Sequence, residues 1–151
     1  MKIEKLTRGA MIAAIYAALT LILAPISFGA VQCRVSEVLC ILPMFFPEAV
    51  VGLFVGCFIA NVMMGSVLDI ILGSLTTLLA AFLTYKTRKK PYLAIFFPVI
   101  LNALIVGGYI SLMYEGLPIL LSMLYVGIGQ AVACYGLGLP LYYILKVTLD
   151  K

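Results

Sequence analysis

The chain has 151 residues, 65% of them hydrophobic and 11% charged, with a mean hydropathy of +1.22 and a net charge of +4. That much apolar surface excludes an ordinary soluble domain and indicates an integral membrane protein, whose length allows one domain, 1–151. The positive charge does not indicate nucleic acid, because the basic residues flank apolar spans, as membrane topology requires.

Met1 to Arg8 followed by an apolar run resembles a signal peptide. Further spans continue that run, so Lys2, Lys5 and Arg8 are read as the basic entry to a first membrane helix. This span covers about residues 6–24 and stops at Pro25. It carries Ala10, Ala13, Ala14, Ala17 and Ala18, one broad alanine face with small-xxx-small spacing at 10/14/18 and 13/17. Small residues let another helix approach closely, and close packing drives association in lipid. The face serves either the protein's own helices or a docking partner, and two overlapping registers favour docking.

A loop with Gly29 leads to a second helix at about 34–46. As an α-helix it is about 20 Å long, short of the roughly 30 Å hydrocarbon core. Arg34 and Glu37 lie three apart on it and share one face. A charge near the membrane interior is costly and faces a protein interior or a wet cavity, so this pair marks the edge of a binding site. Mutual neutralisation at the interface is the simpler alternative.

Pro47-Glu48 opens a third helix, 48–64, with proline and an acid in the first turn. The fourth, 67–85, starts at Ser66-Val67-Leu68-Asp69, a capping-box pattern. The basic loop 86–90 follows, then spans at 92–113 and 118–146, the last with Pro140 as an expected kink. With six spans and a cytoplasmic N-terminus, nine of the ten basic residues fall on the cytoplasmic side, as the positive-inside rule demands. The expected fold is therefore an all-α membrane bundle of six helices with both termini cytoplasmic.

This topology places Arg34, Glu37, Asn61, Asp69 and Tyr109 in the outer half, with Asn102 and Gln130 near mid-membrane. Amides in membranes often only tie helices together, at about 0.6 kcal/mol per bond. Here four spans send acids or amides toward one region, as a pocket for a small polar ring compound requires. The four cysteines show no metal-ligand spacing, and nothing calls for a cofactor. There is no GxxxxGK(S/T), no nucleophile elbow and no HExxH, so no ATPase motor or catalytic constellation is indicated.

The segments Gln32-Cys33-Arg34-Val35-Ser36-Glu37, Leu42-Pro43-Met44-Phe45-Phe46-Pro47-Glu48-Ala49, Gly52 to Cys57, Asn61 and Leu68 to Ala81 resemble the QueT family. These are substrate-binding components of energy-coupling-factor transporters. The resemblance implies import of a queuosine precursor, such as preQ0, preQ1 or queuine, across a prokaryotic cell membrane. It also implies a membrane scaffold subunit (EcfT) and two ATPase subunits as partners. The alanines of the first helix would dock on the scaffold, and an outward pocket would hold the ligand.

A deazaguanine ring offers adjacent N–H donors that one carboxylate can accept, and a carbonyl suited to Arg34 or an amide. Glu37 or Asp69 is expected to read that edge, with Asn61, Asn102 and Gln130 completing the bonds and Tyr109 stacking on the ring. The alternative is a self-sufficient secondary transporter, which would show an inverted repeat that is not evident.

Overall fold

The computed structural model describes residues 2–29 and 31–149. These residues are helical, with no strand among them. In chain order they form α1 (Lys2–Ile22), one helical turn (Ala24–Ser27), a 3-10 segment (Val35–Met44), α2 (Ala49–Met64), α3 (Asp69–Lys86), α4 (Pro91–Met113) and α5 (Ile119–Leu149). Among the described residues, α1, α3, α4 and α5 are long and apolar enough to cross a membrane. The 3-10 segment and α2 are shorter apolar helices.

Burial is inverted relative to a water-soluble protein. Large apolar side chains such as Val51, Phe58, Leu75, Phe96 and Ile144 are exposed, while Arg34, Glu37, Asn61, Thr77, Asn102 and Gln130 are buried. Polar groups gather inside because hydrocarbon offers them no hydrogen-bond partner.

The elements run back and forth between two ends. At the basic end, Arg8 pairs with Glu48 at 2.7 Å, and the Tyr92 and Tyr143 hydroxyls lie 3.1 Å apart. Lys86 to Lys90 join α3 to α4 there. At the other end, Ser66 Oγ lies 3.5 Å from Met113 Sδ, and Tyr109 donates to Asp69 at 2.6 Å.

The α1–α2 seam follows from small residues. A Cβ on Gly52 would sit 2.6 Å from the Gly9 carbonyl oxygen, and one on Gly56 would sit 2.6 Å from that of Ala13. Only hydrogen at those two positions lets the backbones meet. Ala13 and Ala17 are consequently buried, whereas Ala10, Ala14 and Ala18 remain exposed. The two alanine registers thus face different ways.

Two expectations are corrected. The second helix is a 3-10 helix over Val35–Met44, not an α-helix over 34–46, and Arg34 precedes it in extended conformation. Pro25 does not end the helical path, since it occupies the first turn of Ala24–Ser27. The last helix, expected at 118–146, is continuous from Ile119 to Leu149, and a π-helix, Val132–Gly138, stands just before Pro140. Proline leaves the carbonyl four residues back without its N–H, and a widened turn accommodates that. Two further π-turns, Asp69–Gly73 and Asn102–Val106, begin at polar residues.

Candidate functional site

The site is built around Asp69. Its capping box with Ser66 forms as the spacing predicts: Ser66 N donates to Oδ2 at 3.0 Å, and Asp69 N donates to Ser66 Oγ at 3.1 Å. Ser66 Oγ also lies within 2.8 Å of Oδ2. The other carboxylate oxygen turns inward, where Oδ1 accepts from Arg34 Nη2 at 3.2 Å and from Tyr109 Oη at 2.6 Å. One carboxylate thus caps α3 and anchors a buried cation. A carboxylate has about four lone-pair positions, and each of these four contacts takes one.

Arg34 is 3% exposed, so its charge depends on these partners. Besides Asp69, its Nε donates to Ser27 O at 3.2 Å and its Nη1 approaches Cys57 Sγ at 3.8 Å. The Phe28 ring centroid lies 5.1 Å from the guanidinium carbon, within cation–π range. Asn61 donates to Asp69 O at 2.7 Å and to Ser74 Oγ at 3.2 Å, and its Oδ1 is buried without a partner. Beside Asp69 opens a cavity of about 120 Å³, lined by Phe28, Gly29, Gln32, Met64, Ser66, Asp69, Ile110, Met113 and Tyr114.

Comparison with known proteins settles what kind of chain carries this arrangement. The family model described as QueT transporter matches residues 6–147. The chain belongs to the QueT transporter family. A protein of Lactococcus lactis subsp. cremoris (strain MG1363), described as queuosine precursor transporter QueT, is 38% identical over 71 residues. That stretch is 46% of this chain and 42% of that protein, so the chain covers less than half of the relative's length. No solved structure matches.

Within this QueT family chain the residues singled out in the sequence fall into separate groups. Arg34, Asp69, Tyr109 and Asn61 form the connected cluster just described. Glu37 is fully buried in a second cluster, where it accepts from the Tyr16 hydroxyl and from Cys40 Sγ at 2.8 Å. Beside it, the Thr20 and Ser36 hydroxyls lie 2.7 Å apart. Arg34 and Glu37 therefore do not act as a pair. Asn102 donates to Pro98 O at 2.8 Å within its own helix, and Gln130 Oε1 accepts from Cys134 Sγ at 3.7 Å. Of the seven residues expected to bind substrate, Asp69 alone lines the cavity.

The alanines expected to dock on a partner also separate. Ala10 and Ala13 border a groove of about 500 Å³ at the basic end, Ala14 and Ala18 are exposed, and Ala17 is buried. Glu48 at the same end is held by Arg8, whose guanidinium lies 4.5 Å over the Phe46 ring.

Sequence reasoning missed Tyr16, Phe28 and Gln32. Tyr16 sits among alanines and reads as packing. Gln32 stands two residues before Arg34 in the motif that carries the resemblance, and that proximity was the available signal.

Proposed function

We propose that this chain is the substrate-binding component of an energy-coupling-factor importer for a queuosine precursor, a deazapurine such as preQ1, preQ0 or queuine. The observation that carries the reading is the buried Arg34–Asp69–Tyr109 cluster beside a cavity at the end opposite the basic residues, in a QueT family chain. The name of the Lactococcus relative supports the ligand class.

In this reading the basic end, with both termini, lies in the cytoplasm of a prokaryotic cell, and the 3-10 segment and α2 complete a six-span bundle. Ligand arriving from outside meets the cavity, with Asp69 facing it and Arg34 and Tyr109 holding the carboxylate in place. Glu37, Asn61, Asn102 and Gln130 lie deeper, as the second layer a ligand reaches when the cavity opens. The energy comes from partners: a scaffold subunit (EcfT) gripping Ala10, Ala14 and Ala18 on α1, and two ATPase subunits beneath it.

Uptake of labelled preQ1 into cells expressing this chain with and without the scaffold and ATPase subunits tests the assignment. Accumulation only with the complete set is expected. Uptake by the chain alone would overturn it in favour of a self-sufficient transporter.

A further inference from the structure

The donors around Asp69 fill its carboxylate, which limits what that residue offers an incoming ligand. Oδ2 takes the Ser66 amide and hydroxyl, and Oδ1 takes Arg34 and Tyr109. A ligand rich in N–H groups needs an acceptor that is not already engaged.

Four buried side-chain atoms have no hydrogen-bond partner among the described residues: Ser27 Oγ, Gln32 Oε1, Asn61 Oδ1 and Ser122 Oγ. Of these residues only Gln32 lines the cavity beside Asp69. Gln32 is 5% exposed, so water does not readily satisfy its carbonyl. Leaving such a buried acceptor without a donor costs about 1–3 kcal/mol.

Size narrows what can reach it. A cavity of about 150 Å³ holds one benzene ring, and this one measures about 120 Å³. The space therefore receives one edge of a ring system, with the remainder of the ligand lying toward its mouth.

We propose that Gln32 is a specificity-determining residue of this site, its side-chain carbonyl accepting a hydrogen bond from the exocyclic amine of a flat heterocyclic ligand. The inference rests on the deazapurine reading above and adds to it the atom that selects a 2-amino ring from its des-amino counterpart. Phe28 and Gly29, in the same loop, border the space into which that ring edge enters.

The test is calorimetric titration of the purified full chain in detergent with preQ1 and with its analogue lacking the 2-amino group. Wild type is expected to favour preQ1 by about tenfold or more, the ratio that an unmet buried acceptor implies. Gln32→Met, matched in length but at most a weak acceptor, should bring that ratio close to one, while Gln32→Glu should keep it. If Gln32→Met does not fold, Gln32→Ser, too short to reach, serves in its place. A wild-type preference that survives in Gln32→Met or Gln32→Ser would overturn the inference and leave the transporter reading standing, as would wild-type binding with no preference. Wild type binding neither compound would overturn the deazapurine reading and this inference with it.

Discussion

Arg34 and Asp69 share one buried ion pair, 3.2 Å long, and neither can lose the other cheaply. Removing one member of such a pair leaves an uncompensated charge, at a cost of about 3–5 kcal/mol. Asp69→Asn should therefore lower thermal stability in detergent by about that amount. The double variant Arg34→Met/Asp69→Asn should recover part of the loss, because no bare cation remains. Glu37 behaves differently, being bonded to Tyr16 and Cys40 inside the bundle. Glu37→Gln places amide hydrogens against one of those donors and should cost about 1–3 kcal/mol in unfolding experiments. Because Glu37 belongs to the second layer that the ligand is proposed to reach, the variant's affinity for preQ1 should fall as well, which titration checks. Both residues stood out in the sequence as charges in an apolar chain. Their partners were not legible, because Arg34 has extended backbone (φ −82°, ψ 97°) and leaves the helix on which the three-residue spacing would have paired it with Glu37.

At the level of elements, Pro98 and Thr84 form a complementary pair across two helices. Pro98 has no N–H to give the Ala94 carbonyl, and Thr84 Oγ1 of α3 donates to that oxygen at 3.0 Å. Thr84→Val keeps the shape and removes the donor. It should cost about 1 kcal/mol or somewhat more, read as a lower melting temperature. Prolines, glycines and charges also made several helix boundaries legible in the sequence: helices expected at 48–64 and 92–113 are found at Ala49–Met64 and Pro91–Met113. What these signals did not carry was helix type. A 3-10 turn and an α turn bury similar side chains over ten residues, so an apolar run such as Val35–Met44 fits either. The three π-turns likewise leave no mark in hydropathy, which reports burial and not the pitch of the backbone.

The molecule as a whole is joined most tightly along the α1–α2 seam, and two substitutions there should part ways. Gly56→Ala drives a methyl into the Ala13 carbonyl and should destabilise the protein by about 1–3 kcal/mol, measured by thermal unfolding. Ala14→Leu adds bulk to an exposed position. It should leave unfolding and preQ1 binding unchanged while abolishing copurification with the scaffold subunit. An intact complex would place the contact elsewhere. The overall plan, apolar outside with polar groups meeting inside, was legible in the sequence because hydrocarbon leaves an ionised residue so few places to go. Where the cavity lies was not, since it depends on Phe28 and Gln32 in a loop with no periodic pattern.

Gly52 and Gly56 meet α1 at its backbone and at the Cβ atoms of Ile12 and Tyr16, which no rotamer change can move. A contact of that kind has no rotamers to exchange and no long side chain to slide, so it offers no slack for one helix to swing while its neighbour stays put. The α1–α2 pair thus behaves as one unit, and its far end is tied through Asn61 to the backbone of Asp69.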